Sequence, residues 1–328
     1  MNIRYKYCPQ LKVYDEIGYR WLPSLMFMNR PNYRSKICNT DIHGLRFNSK
    51  NYIFSENSSI FDLKTDKNKS IMVGSSTTFG VGSTSDEKTI PGILSDKKNH
   101  VYNFGGRAFN GFQEIILTEM MINKLKNIKH IILYSGMNDI YMNYNDRFLI
   151  SDPGPFYYSK TFLKNIEYSD LSFNRKILKL IFPNLDIDYR NITKSELFRY
   201  LINFKNKKNK DDYFPFPKIN LDDIVSRNIK IWKYLSKSMS SKITFFVPPF
   251  MPWCKDLSCY TIEEKEITRF INNSSENRNA SDFDNIESDY EKIIDLLSET
   301  CKKNGIDFFD CNQVFRQGQN KNKWLFRK

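Results

Sequence analysis

Apolar positions along the chain follow no period at first and then acquire one abruptly. Through about residue 65 they are mostly aromatic and irregularly spaced, interrupted by Pro23, Pro31, Asn32 and Asn39, so long elements are not expected there. The run Asn39 to Arg46, NTDIHGLR, reads as a tight turn around Gly44. From Lys69 the text alternates. Ile71, Met72 and Val73 form a short apolar run closed by Gly74, the pattern of a buried strand. A helix is predicted near 89–94, with Pro91 in its first turn, where a missing N–H costs nothing. A second strand is predicted at 101–104, a helix over about 111–126 and a third strand at 131–134 ending at Gly136. Repeats of this length imply right-handed crossovers and a parallel sheet.

The alternation is lost over 140–220, where Pro153, Pro155, Pro183, Pro215 and Pro217 fall among dense aromatics. This stretch reads as an inserted helical cap with a short helix near 195–204. Periodicity then resumes. Leu221, Ile224, Val225, Ile229, Trp232 and Leu235 keep helical spacing, as do Ile286, Tyr290, Ile293, Ile294, Leu297 and Cys301. Strands are predicted at 243–247 and 307–311. The expected organisation is an N-terminal arm at 1–65 packed on the core, an α/β core from 66–139 and 221–328, and the cap between.

Composition changes this picture little. With 328 residues, 40% of them hydrophobic, the chain can bury a sizeable core. There is no apolar run long enough for a membrane span, and the first twenty residues lack the apolar stretch of a signal peptide. Six scattered cysteines without a C-x-x-C pair read as reduced thiols in a cytoplasmic protein. The net charge of +13 is spread along a chain rich in Asn, Lys and Ile. Its densest run, KNKKNK at 205–210, accompanies no recognition motif, so no specific nucleic-acid partner is expected.

Polar text sits where the predicted strands end. Gly74-Ser75-Ser76-Thr77-Thr78 follows the first, Asn103-Phe104-Gly105-Gly106 closes the second, and Gly136-Met137-Asn138-Asp139 follows the third. Such ends meet along one sheet edge, where open α/β folds bind ligands. A serine, a glycine N–H and an asparagine amide there are the parts of a nucleophile with an oxyanion hole. Each also has a plainer role: Ser76 as a turn serine, Gly105 as a tight turn and Asn138 as a loop cap. Asp139 and Asp310 read as structural, and Trp253 and Cys254 as either pocket lining or packing. The glycines of 74–82 fit neither a Walker lysine motif nor G-x-G-x-x-G.

On these three blocks the chain resembles the SGNH, or GDSL-like, hydrolases. Ser75 stands where that family usually has aspartate, Ser76 falls on its nucleophile, Gly105 on the glycine of its second block, and Gly136, Asn138 and Asp139 on its third. The arm with NTDIHGLR resembles the branch found beside bacterial surface-polysaccharide genes. The resemblance covers about residues 20–139 and 221–315. It implies a three-layer α/β/α sandwich with a five-stranded parallel sheet in the flavodoxin-like order 2-1-3-4-5. It also implies ester hydrolysis or acyl transfer on an acylated carbohydrate, with Ser76 as nucleophile. The N–H groups of Ser76 and Gly105 and the Asn138 amide would hold the oxyanion, with no metal or cofactor. The family's fourth block, aspartate-x-x-histidine, has no counterpart, nor does its terminal helix. His100 and His130 precede their strands, and His43 lies in the arm. The expectation is therefore impaired turnover from a truncated chain. The alternative is a non-catalytic binding protein, or a truncated gene product, of the same fold.

Overall fold

Buried β-branched and apolar runs form the strands of a central sheet, and the computed structural model describes them within residues 3–157, 220–273 and 281–317, apart from 23, 50, 51, 53, 54, 64, 145–149 and 152–153. In chain order the arm carries α1 (Ile3–Tyr7), α2 (Leu11–Glu16) and a hairpin of β1 (Tyr19–Leu22) and β2 (Met26–Asn29). The core follows with β3 (Asn68–Gly74), α3 (Ser76–Phe79), α4 (Ile90–Leu94), β4 (Asn99–Gly105), α5 (Gly111–Met120), β5 (Ile128–Tyr134) and α6 (Met137–Asn143). A small ladder of β6 (Ile150–Ser151) and β7 (Gly154–Pro155) comes next, then α7 (Leu221–Ser238), β8 (Lys242–Val247), α8 (Met251–Cys254), α9 (Ile262–Asn273), α10 (Ser281–Ser288), α11 (Tyr290–Lys303), β9 (Asp307–Asp310) and α12 (Cys311–Gln317).

The five core strands lie side by side as β4-β3-β5-β8-β9, all parallel. Counted along the chain, that is the expected 2-1-3-4-5. The step from β3 to β4 runs one way across the sheet and every later step the other. Right-handed crossovers then place α4 on one face and α5, α7 and α11 on the opposite face. The contacts agree, since α7 packs against both α5 and α11. Local chemistry starts these helices where they are needed. Thr89 caps α4 through Gly92 N–H (3.1 Å), and Asn110 and Gln113 form a reciprocal capping box on α5 (2.8 and 3.1 Å). The periodic residues of α7 and α11 make the core: Ile224, Ile229, Trp232, Ile293, Leu297 and Cys301 are all buried. Trp253 packs there too, donating Nε1–H to Ile286 O (2.9 Å). The helix predicted over 111–126 stops at Met120 and gives way to a 3-10 turn at Ile122–Lys124.

Among its described residues the arm holds two short helices and a hairpin, too brief to leave a period in the sequence. One expectation is corrected. A helix does follow the fifth strand: α12 begins directly after β9, capped by Asp310, whose Oδ1 accepts from Asn312 N–H (2.9 Å). Phe309 of β9 and Val314 and Phe315 of α12 are 54%, 70% and 40% exposed. The chain divides into two compact units, Met1–Tyr157 with Lys218–Lys328 and Tyr158–Pro217, and α6 with the β6–β7 ladder belongs to the first. The expected helix near 195–204 and the cap itself lie outside the described residues. All six cysteines are free thiols. Among the described residues no helix is long and apolar enough to cross a membrane.

Candidate active site

The site grows from the end of β3. A side chain at Gly74 would overlap Thr78 Oγ1 and Tyr134 O, so the strand can stop close against its neighbours only with glycine there. Ser75 turns the chain (φ −91°, ψ −144°) and Ser76 opens α3. The turn is closed by Phe79 N–H on Ser75 O (3.0 Å) and by Gly80 and Val81 N–H on Ser76 O (3.0 and 2.9 Å). Gly80, at φ +87°, ends the helix in the left-handed conformation. Of the four hydroxyl residues, Ser75 and Thr78 are buried, Ser76 is half-buried and Thr77 is exposed. Ser76 is therefore the hydroxyl held at the first position of the helix while still open to solvent. Among the described residues no hydrogen bond uses its N–H, which lies in the first helical turn.

Beside it, β4 ends in register, with Gly74 opposite Gly105. Gly105 was expected to offer its N–H to an oxyanion. That N–H instead donates to Asn103 Oδ1 (2.9 Å), and a Cβ at this position would overlap the backbone of Phe79. Gly105 serves close approach of β4 to α3. The free donor lies three residues on. Ala108 adopts φ +62°, uncommon for a residue with a Cβ, and among the described residues no hydrogen bond takes its N–H. Nothing in the sequence marks an alanine for that conformation, so this donor was not foreseeable.

The third strand end completes the edge. Gly136 (φ +100°) turns β5 into α6, and Asn138 Nδ2 donates to Phe109 O (2.7 Å), next to Ala108. That bond fixes the plane of the amide and leaves its second N–H. Asp139 turns inward. Its Oδ2 accepts from Gly111 N–H at the start of α5 (2.9 Å), and its buried Oδ1 has no partner among the described residues. Burial pushes this carboxyl up to about 6, against the pull of Gly111 N–H and Arg227. Glu114, fully buried beside it, accepts from Ser135 Oγ (2.5 Å), and burial holds its carboxyl well above the usual range.

The histidines divide as their strands dictate. His100 pairs with Lys69 and His130 with Ser70, both at the amino end of the sheet. Five residues of strand span about 16 Å, so neither reaches Ser76. His100 lies against Tyr52 OH (3.2 Å) and is lowered to about 4 by burial. His130 meets Thr244 Oγ1 (2.8 Å) and is also lowered by burial. His43 belongs to the turn of Gly44. Asn29 Nδ2 donates to both Gly44 O and Gly105 O (3.3 Å each), which ties its turn to the end of β4. No hydrogen bond joins His43 to Ser76.

No protein-family model matches the chain, and no curated protein does. Among solved structures it is similar to an acetyl xylan esterase, AlAXEase, at 11% identity over 77% of this chain and 82% of that one, with a TM-score of 0.31. It is also similar to an extracellular lipase from Streptomyces rimosus, at 8% identity over 76% and 82%, with a TM-score of 0.36. Likeness at this level assigns no activity. The strand order and the crossovers define the fold.

Proposed function

We propose that this chain acts on ester bonds through Ser76, as a hydrolase or acyltransferase for an acylated carbohydrate. The observation that carries the reading is one edge of the sheet. A half-buried serine opens a short helix there, its own N–H and that of Ala108 are unspent among the described residues, and the Asn138 amide is held by Phe109 O, the residue after Ala108. Ser76 Oγ attacks the acyl carbon and its proton passes to solvent. The carbonyl oxygen becomes an oxyanion held by Ser76 N–H, Ala108 N–H and Asn138 Nδ2. The bond to the sugar oxygen then breaks, that oxygen takes a proton from solvent so that the sugar leaves as an alcohol, and the acyl-serine is released to water or to a second hydroxyl. No cofactor enters these steps. The carbohydrate class comes from the resemblance of the arm and serine block.

A second reading rests on the histidines. With none hydrogen-bonded to Ser76, the hydroxyl lacks the adjacent base that normally activates it. The same edge would then serve a protein that binds an acylated sugar without turning it over. Release of acetate from a panel of acetylated mono- and oligosaccharides, compared with Ser76→Ala, separates the two. Release that disappears in the variant supports catalysis. Saturable binding with no release supports the second reading.

A further inference from the structure

Two buried arginines tie the edge just described to the N-terminal arm, one from each side. Arg46 belongs to the arm and has no exposed side-chain surface. Its Nη1 donates to Phe79 O (3.0 Å) and Gly80 O (2.8 Å), the carbonyls at the closing end of α3, and to Tyr14 OH (2.9 Å). Its Nε donates to Asp86 Oδ1 (2.8 Å) and its Nη2 to Ile37 O (2.8 Å). A four-residue helix satisfies few of its own carbonyls, so this guanidinium is what anchors its end.

Arg107 reaches the opposite way, from the loop that carries Ala108 into the arm. Nη1 donates to Tyr14 O (2.6 Å), Nη2 to Gly18 O and Nε to Asn29 Oδ1 (3.3 Å). Its own backbone N–H also donates to Asn29 Oδ1 (3.3 Å). The guanidinium lies 4.2 Å from the centre of the Tyr19 ring. Both arginines converge on Phe79 of α3, at 5.5 and 5.9 Å from its ring centre. Both also use Tyr14, Arg46 through its hydroxyl and Arg107 through its carbonyl. The core of the arm, Tyr14, Ile17 and Cys38, closes around that same Phe79.

Ordinary core packing does not call for this. Buried charges cost desolvation, and apolar side chains of similar volume are often as stable or more so. What two guanidiniums add is a set of donors aimed mainly at backbone carbonyls, which fixes main-chain positions rather than filling space. We infer that the N-terminal arm is a working part of the site, and that Arg46 and Arg107 are positioning residues that set Ser76 and the Ala108 N–H relative to each other. The inference rests on the reading of Ser76 as the reacting residue, but its test does not.

The test is hydrogen exchange followed by mass spectrometry on the full chain, wild type against Arg46→Lys and Arg107→Lys, at a temperature where all are folded by circular dichroism. Lysine keeps the charge and loses the planar fork. In Arg46→Lys, amides of the peptide spanning 75–82 should exchange at least ~10-fold faster, and in Arg107→Lys those of 105–110, while peptides from α11 stay unchanged. Unchanged exchange in those two peptides would overturn the inference. So would loss of protection spread evenly into α11, which marks plain core arginines. If Arg46→Lys does not fold, Tyr14→Phe removes only the hydroxyl shared with Arg46. It should raise exchange in 75–82 by a smaller factor, and no rise there counts against the inference. Phosphonate labelling of the wild type at Ser76, run alongside, judges the serine reading separately, and the exchange data decide the arginines whichever way it falls.

Discussion

Asp139→Asn should stabilise the protein at neutral pH and flatten the dependence of its stability on pH. Asp139 is buried, spends Oδ2 on Gly111 N–H, and leaves Oδ1 without a partner among the described residues. Burial raises its carboxyl from the ordinary 3.8 to about 6. Between those values the folded chain binds more protons at this site than the unfolded chain does. Stability therefore falls as pH rises, and the loss is complete above about pH 6. A shift of roughly two units corresponds to about 3 kcal/mol. Asparagine keeps the shape and the acceptor for Gly111 N–H while removing the charge. The variant should match wild type near pH 4 and exceed it by up to about 3 kcal/mol at pH 7.5. With a urea slope of about 3 kcal/mol per molar, that is about 1 M in the unfolding midpoint. Glu114, also raised by burial, adds a slope of the same sign that remains in both proteins. Urea titrations at pH 4.0 and 7.5 make the comparison. Equal pH dependence in the two proteins would refute the reasoning, because it would mean that Asp139 carries no buried charge at neutral pH.

Gly105→Ala should lower the melting temperature by the equivalent of more than ~1–3 kcal/mol, since its Cβ would overlap the Phe79 backbone; an unchanged melt would remove the close-approach role. Ala108→Gly should be neutral or stabilising by about 1 kcal/mol, because glycine populates positive φ freely, and a clear loss of stability would count against the φ of +62°. Asn138→Ala should slow acylation by about 10²-fold while lowering stability by only about 1 kcal/mol for its bond to Phe109 O; paired labelling-rate and unfolding measurements would show whether the two effects separate. Val314→Glu should leave stability within about 0.5 kcal/mol and reduce any self-association seen by light scattering, given the 70% exposure of Val314.

Strands β3, β4, β5 and β8 were legible because they are largely buried runs closed by glycine or proline, and the helices α7 and α11 because their apolar positions keep a strict period. The placement of Ser76 and Asn138 was legible because both fall just past strand ends, at the edge where the topology gathers them. Gly105 misled for a physical reason. A glycine at a strand end signals close approach as readily as a free N–H, and here the N–H is already spent on Asn103. Ala108 carried no signal, since its conformation is imposed by Arg107 and Phe109 on either side, which are bonded to Asn29 and Asn138. The arm was illegible for a similar reason. Its elements are a few residues long, and what orders them is tertiary: two arginines, Tyr14 and Asn29, none of which leaves a period.

The central claim, that Ser76 is the reacting hydroxyl of this edge, is tested most directly by intact-mass analysis after incubation with a fluorophosphonate, with the site mapped by peptide sequencing. Without a hydrogen-bonded imidazole the reaction should be slow, though the oxyanion donors can still contribute roughly 10³–10⁴ over water. The account predicts one adduct, on Ser76, that accumulates over hours and is absent from Ser76→Ala. No adduct on the folded wild type, or an adduct that persists in Ser76→Ala, would contradict it.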